Sequence, residues 1–116
     1  MKELIYDYLT NNCVGYDNRV KGWQLMKLFN IKDHKTLRSY IQELRQDEEI
    51  DKMIGSVAGK SGGFFIIENY NEFKDTVDHL YLRAMEMLKT YKIMKDKEEH
   101  QKFYRMENLW EKNIED

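Results

Sequence analysis

The stretch GSVAGKSGGFFII, residues 55–67, decides how this chain folds. It contains Gly59-Lys60-Ser61, the tripeptide that closes a phosphate-binding P-loop. In a P-loop four residues separate a first glycine from that tripeptide, and a helix begins directly after it. Here three residues separate Gly55 from Gly59, and an aromatic and β-branched run follows. The stretch therefore predicts a β-hairpin, 53–67, with a glycine-rich basic tip, in place of a nucleotide site.

Two helices and a very short strand are predicted at the start of the chain. Apolar residues at helical spacing indicate a first helix over 2–12. Arg19-Val20-Lys21 suits a very short strand, and Gly22 precedes a second helix of about eight residues. We expect Trp23, near the start of that helix, to be buried or half-buried.

A third helix leads into the hairpin. Asp33 is the predicted N-cap, since an aspartate oxygen accepts hydrogen bonds from the free amides of a first turn. The helix runs over 35–46. Leu37, Ile41 and Leu44 lie at i, i+4 and i+7 within it, so they form one buried stripe.

A long helix is predicted from Asn71 onward. Its apolar seam steps by four and three residues: Phe73, Val77, Leu80, Ala84, Met87, Tyr91 and Met94. A second ridge lies beside the seam: Tyr81, Met85 and Leu88. A heptad seam predicts pairing with another helix, and we expect a homodimer, the alternative being packing against the chain's own domain. The seam stops after Met94, and Asp96 with Glu99 suits a capping box that opens a separate last helix, 97–113.

The order of these elements is helix, helix, turn, helix, hairpin, long helix. It predicts an α+β, mostly α fold. Its parts are a winged helix-turn-helix domain over 1–68 and a long C-terminal helical extension over 71–113.

A resemblance supports this arrangement over GWQLMKLFNIKDHKTLRSYIQELRQDEEIDKMIGSVAGKSGGFFI, residues 22–66. Leu25 and Phe29 stand in the second helix, Ile31 in the turn, Ile41-Gln42-Glu43-Leu44-Arg45 in the third helix, and Gly62-Gly63-Phe64 at the end of the wing. This set resembles the DNA-binding domain of the biotin-repressor type, and is similar to small winged-helix proteins of phages and mobile elements. The resemblance implies that the third helix enters the major groove of DNA. Because no ligase domain follows in the sequence, no biotin chemistry is expected.

The charge distribution agrees with a DNA-binding face. The formal net charge is −2, yet residues 18–45 hold seven basic and two acidic residues, and acids concentrate at 47–51 and in the C-terminal third. A basic face on a near-neutral body is compatible with nucleic-acid binding. The predicted DNA contacts are Arg19, Lys21, Lys35, Thr36, Arg38, Ser39, Gln42, Arg45, Lys60 and Ser61. Among them, Arg38 and Gln42 have the forked groups that read guanine and adenine, respectively.

Two functions stay open from the sequence. The first is a DNA-binding protein, acting as a transcriptional regulator or as a replication or packaging accessory of a phage or mobile element, with double-stranded DNA as its partner. The second is a winged-helix module that binds another protein and no DNA. A shared surface for Arg19, Lys21, Lys35, Arg38 and Lys60 would favour the first. Interruption of that surface by the acids of 47–51 would favour the second.

Other classes of function find little support. No catalytic residues, cofactor or metal are predicted, so we do not expect an enzyme. Asp75, Asp78 and His79 share a face of the long helix, but charged flanks of a heptad seam produce the same spacing. A single cysteine, Cys13, fits a reducing cytoplasm. The sequence has no apolar run that would span a membrane, and the charged start of the chain does not suit a signal peptide.

Overall fold

The computed structural model describes residues 1–57 and 62–101, and the side chains of 1–57 and 62–98. This part of the chain forms four α-helices, one 3-10 helix and one two-stranded sheet. In chain order they are α1 (Lys2–Asn12), the 3-10 helix (Tyr16–Asn18), α2 (Gly22–Phe29), α3 (His34–Gln46), β1 (Ile54–Val57), β2 (Gly63–Ile66) and α4 (Tyr70–Gln101). The predicted class, α+β and mostly α, is confirmed, and the order is compatible with a winged helix. None of the described helices combines the length and apolarity needed to cross a bilayer.

By its internal contacts the chain divides into two compact units, Met1–Asp78 and His79–Asp116. The first unit holds α1 to α3, both strands and the beginning of α4. The second holds the rest of α4. The predicted domain limits, 1–68 and 71–113, stay a prediction.

The first unit is built around one apolar core. In α3 the predicted stripe is buried, with exposed fractions of 1% for Leu37, 2% for Ile41 and 3% for Leu44. Burying a side chain of this size stabilises a fold by about 1.5–3 kcal/mol. The other members of the core come from α1, α2, both strands and the connections between them: Ile5, Leu9, Cys13, Val20, Leu25, Ile31, Ile54 and Ile66.

The hairpin is present as predicted, and it excludes a P-loop. β1 and β2 pair antiparallel, with Ile54 opposite Ile66 and Ser56 opposite Phe64. A strand, not a helix, therefore follows the Gly-Lys-Ser tripeptide. On its other edge β2 exchanges two hydrogen bonds with Val20, whose N–H donates to the Phe64 carbonyl at 2.9 Å and whose carbonyl accepts from the Phe64 N–H at 2.8 Å. The short strand predicted at 19–21 is thus a single bridge at Val20.

Gly55 lies inside β1, where its lack of a side chain has a packing reason. A Cβ at this position would lie 2.6 Å from the ring of Phe65, its partner across the hairpin. Phe65 is 2% exposed, so a shift of the ring would displace other buried groups. The first glycine of the stretch therefore accommodates an aromatic ring in the core, not a phosphate.

Trp23 is not in the core, contrary to the sequence prediction. Its side chain is 56% exposed, whereas Leu25 in the same helix is fully buried. Two residues correspond to about 200° of rotation on an α-helix, so both side chains cannot face one core. Leu25, with the half-buried Met26 and Phe29, forms the inward face of α2.

The start of α4 is held by two acceptors. Asn69 Oδ1 accepts the Glu72 N–H at 2.9 Å and so caps the helix. The Glu72 carboxylate accepts the N–H groups of Glu68 and Tyr16, each at 2.8 Å, which ties the first turn to the 3-10 helix. The helix begins at Tyr70, one residue before the predicted start.

α4 does not stop at Met94. It continues through Gln101, so the separate last helix predicted to open with Asp96 and Glu99 is wrong at its start. The charged run is compatible with an exposed helix because its charges pair along the helix, as Lys95 does with Glu98 at 2.9 Å. The remainder of the predicted helix 97–113, from 102 on, lies outside the described residues.

Candidate nucleic-acid interface

The N-terminus of α3 is capped as predicted. Asp33 Oδ1 accepts the Thr36 N–H at 2.8 Å, which satisfies one of the free amides of the first turn. Hydrogen bonds from the Thr36 hydroxyl and N–H, aided by the charges of Lys32 and Lys35, lower the pKa of the Asp33 carboxyl. The carboxylate is therefore stabilised in its charged form, where it holds the helix start in place.

The outer face of α3 carries the central part of the predicted site. Four of the predicted contact residues are exposed there: Lys35, Arg38, Ser39 and Gln42. Their spacing, i, i+3, i+4 and i+7, places them on one stripe of the helix, and the buried leucines and isoleucine occupy the other side. Thr36, beside the stripe, is half-buried. We call these four residues the α3 stripe.

The start of α2 lies against the start of α3. A Cβ on Gly22 would lie 3.7 Å from His34 Nδ1 and 3.5 Å from Leu37 Cδ2. Lys21, the exposed residue before Gly22, is held at the helix start by its N–H, which donates to Gln24 Oε1 at 2.9 Å. A predicted basic contact is thus brought to the N-terminal end of α3. The exposed His34 joins it there, a residue that the sequence interpretation left out although it directly precedes Lys35.

Arg19 lies beside the end of the hairpin strands that is nearest the tip. Its guanidinium carbon stands 4.1 Å from the ring centroid of Tyr16, and Nη1 donates to the Tyr16 carbonyl at 3.2 Å. A Cβ on Gly63 would lie 3.2 Å from Arg19 Cγ, so the aliphatic part of the arginine lies beside the first residue of β2. Arg19 is half-buried, so stacking on Tyr16 orients the cation at this edge of the sheet.

Arg45 serves a contact that sequence reasoning missed. Its Nε donates to the Ile54 carbonyl at 3.0 Å and its Nη2 to the Ser56 hydroxyl at 2.9 Å. The half-buried guanidinium therefore joins the last turn of α3 to β1. The position of Arg45 on α3 suggested a DNA contact. Its link to β1 depends on where the strand lies in the fold, which the sequence pattern does not give.

The wing tip, with the predicted contacts Lys60 and Ser61, lies outside the described residues. The strands that lead to it are described up to Val57 on one side and from Gly63 on the other, and these two residues pair across the hairpin.

The acidic segment 47–51 follows the C-terminal end of α3. Asp47 is the C-terminal boundary residue of the helix, and its Oδ1 accepts the Glu49 N–H at 3.0 Å. The start of this segment lies about 18 Å along the helix axis from Lys35, at 1.5 Å per residue. The basic and acidic groups thus flank opposite ends of α3, and the acids do not interrupt the Lys35–Arg38 end of the stripe.

A second surface opens on the outer face of α2. A groove of about 710 Å³ is lined by residues of α1, the 3-10 helix, α2 and the segments that connect them, among them Tyr8, Arg19, Trp23, Lys27 and Leu28. Trp23 and Leu28 are each 56% exposed. Both side chains present apolar surface beside the cations of the groove.

The remaining reactive groups of the described chain offer little chemistry. Cys13 is buried, and burial raises the pKa of its thiol, so the reactive thiolate is disfavoured. Within 1–57 and 62–101 there is no group of three histidine, cysteine or acidic side chains arranged to hold a metal ion.

Comparison of the chain with models of protein families, with curated proteins and with solved structures finds no match.

Proposed function

We propose that the protein binds double-stranded DNA through a winged helix-turn-helix domain of the biotin-repressor type, with α3 as the recognition helix. The observation that carries the proposal is the α3 stripe, Lys35, Arg38, Ser39 and Gln42, exposed on a helix whose other face is core. Helices used in this way read base edges with residues near their N-terminus. Arg38 and Gln42 have the forked groups for guanine and adenine, and Lys35 is suited to a phosphate.

Two further features support a DNA-binding face. Lys21 and His34 lie at the same end of α3 as Lys35, where the helix N-terminus itself favours an anion. The hairpin is the next element after α3 and is linked to it through Arg45, which supports its assignment as a wing. In this proposal Lys60 and Ser61 at the wing tip hold a flanking phosphate. The cellular role would be regulation of transcription, or replication or packaging in a phage or mobile element.

The test is binding to a labelled mixed-sequence duplex, followed by fluorescence anisotropy over a series of salt concentrations. We expect affinity to fall steeply with salt, because bound lysine and arginine release counterions from DNA. Lys35→Ala should lower the slope of log affinity against log salt by about 0.9, the value for one lost phosphate contact. Arg38→Ala should weaken binding to a preferred sequence by about 1–3 kcal/mol.

Lys89→Ala is the matched control. Lys89 is an exposed lysine on α4, so the variant changes the net charge by the same amount and leaves the α3 stripe intact. If Lys35→Ala and Lys89→Ala weaken binding equally, the attraction is unspecific and the α3 stripe is not the interface. Absence of binding at low salt, by protein whose circular dichroism shows the expected helix content, would rule out the proposal.

The groove beside Trp23 favours a second candidate function, binding of another protein. An exposed tryptophan and leucine flanked by Lys27 and Arg19 suit an apolar segment with acidic neighbours. This candidate predicts that a Trp23→Ala variant loses the partner and keeps its stability. The DNA proposal predicts that the same variant keeps its affinity for DNA.

A further inference from the structure

α4 presents a continuous apolar strip from Val77 to Met94. Every residue from Val77 to Lys97 is exposed. The strip consists of the seam residues Val77, Leu80, Ala84, Met87, Tyr91 and Met94, with Tyr81, Met85 and Leu88 beside them. The exposed fractions of Met87, Tyr91 and Met94 are 74%, 58% and 65%. So large an apolar face on a polar chain is typical of a binding surface.

The spacing of the seam is the same in both directions. From Val77 to Met94 the steps are three, four, three, four and three residues. The midpoint of this pattern falls between Met85 and Glu86. A second copy of α4 that runs in the opposite direction about this point places every seam residue opposite another seam residue.

The pairs that result have complementary sizes. Val77 lies opposite Met94 of the second copy, and Leu80 lies opposite the second copy's Tyr91. Ala84, the smallest seam residue, lies opposite Met87, whose flexible side chain fills irregular space. Two copies that run in the same direction would instead place Ala84 opposite Ala84 and leave a gap in the seam.

The flanks of the seam also favour the antiparallel direction. When two helices run in opposite directions, each flank meets the same flank of its partner. Tyr81 and Leu88 lie on the same flank, so Tyr81 of one copy meets Leu88 of the other, twice by symmetry. In a parallel pair the two flanks would alternate, and Leu88 would lie opposite Arg83.

The lysines at the ends of that flank do not oppose the pairing. Lys74 and Lys95 would approach each other in the antiparallel pair. Lys74 Nζ already lies 2.9 Å from Asp78 Oδ2, and Lys95 Nζ lies 2.9 Å from Glu98 Oε2. Each lysine carries its own counter-charge on the same helix, which reduces the repulsion between them.

We propose that two copies of this chain associate through antiparallel pairing of residues 77–94, with the two-fold axis passing between Met85 and Glu86. A second copy of α4 is the partner that fits the strip, because it supplies the same seam spacing and the same apolar flank. The pairing involves α4 alone and does not rest on the proposed DNA binding.

Disulfide cross-linking of the full chain tests the direction and the register. Val77→Cys and Met94→Cys are prepared separately, one of them with a tag that shifts its mass, and are oxidised alone and as an equimolar mixture. We expect a disulfide between the two variants in the mixture and little between identical variants. In the antiparallel pair identical positions are separated by about 25 Å along the axis, at 1.5 Å per residue. The wild-type protein, whose only cysteine is the buried Cys13, is the control for unrelated cross-links.

The opposite pattern, cross-links only between identical variants, would overturn the proposal in favour of a parallel pair. A monomer in sedimentation equilibrium at the concentrations used, or a dimer without either cross-link, would also overturn it.

Leu80→Glu and Leu82→Glu give a second measurement on the same helix. Both leucines are exposed, at 44% and 59%, but Leu82 lies on the face of the helix opposite the seam. We expect Leu80→Glu to weaken the dimer at least tenfold and Leu82→Glu to leave the dissociation constant within about twofold of the wild type.

Discussion

The Arg45 guanidinium donates to the Ser56 hydroxyl at 2.9 Å, and through this contact the third helix holds the first strand of the hairpin. A second bond, from Nε to the Ile54 carbonyl at 3.0 Å, makes the attachment two-pronged. A planar guanidinium donates to the two acceptors from two different nitrogens in a fixed geometry, whereas a lysine ammonium presents all its donors from a single nitrogen. Arg45, which lies about one turn beyond the last residue of the α3 stripe, therefore has a structural task in the free protein.

Replacement of Arg45 is expected to lower stability in the free protein. Arg45→Ala and Arg45→Lys should each reduce the free energy of unfolding by about 1–2 kcal/mol, since hydrogen bonds of a charged donor to a half-buried strand are lost. Urea denaturation followed by circular dichroism measures the change. After correction for the folded fraction, Arg45→Ala should reduce DNA affinity less than Arg38→Ala does. An equal reduction would assign Arg45 to the DNA contacts.

Loss of the Asp33 cap is expected to destabilise the protein in a pH-dependent way. Because the pKa of Asp33 is lowered in the folded state, its stabilising effect is fully present above the ordinary aspartate pKa of about 3.9 and is lost as the pH falls through the lower folded value. Asp33→Ala should therefore lower the melting temperature at neutral pH and make less difference in strong acid. Asp33→Asn keeps an N-cap acceptor without the charge, so its melting temperature should stay close to the wild type. If the difference in melting temperature between Asp33→Ala and the wild type is as large in acid as at neutral pH, this account is wrong.

Gly55→Ala is expected to disturb the hairpin. The new methyl group would press on the buried Phe65 ring, and overpacking of this kind costs about 1–3 kcal/mol. Thermal unfolding of the two glycine variants provides the measurement. Gly22→Ala is the matched control, because its Cβ would meet its neighbours at ordinary contact distances of 3.5–3.7 Å and alanine favours a helix. Equal melting temperatures for Gly55→Ala and Gly22→Ala would show that the ring moves aside easily.

Thr76→Val is expected to stabilise the protein. Thr76 is 5% exposed, and among the described residues its hydroxyl has no hydrogen-bond partner. Valine keeps the shape and removes the unsatisfied group, which should raise the free energy of unfolding by about 1 kcal/mol. Thr76→Ser keeps the hydroxyl and removes a methyl group, so it should have the opposite effect. If the valine variant is less stable than the wild type, the hydroxyl has a partner in solution, such as a buried water.

Much of the first unit could be predicted from local patterns. Leu37, Ile41 and Leu44 repeat at the period of a helix, Asp33 precedes them as an N-cap, and the run after Gly63 has the composition of a strand. Such patterns involve residues close together in the chain, so they can be recognised from the sequence alone. The α3 stripe follows from the same logic, since four exposed positions are defined as soon as the buried ones are known.

The exposure of Trp23 and the length of α4 could not be predicted from local patterns, because they depend on which helix faces pack against the rest of the protein. Trp23 has the composition of a core residue, but α2 has one inward face and Leu25 occupies it. The charged run after Met94 interrupted the apolar pattern and suggested a break, yet an exposed helix needs no apolar face to continue, and α4 extends to Gln101. Local periodicity indicates what a segment can bury, but not whether it is buried.

The sequence by itself determined the order of the elements, the core stripe of α3 and the palindromic spacing of the α4 seam, because each is a property of neighbouring residues. The tertiary structure alone decided that Arg45 holds β1, that Gly55 makes room for Phe65, and that Gly22, next to Lys21, lies against His34 at the start of α3. These contacts join residues that are distant in the chain, and side-chain geometry in the packed fold selects them.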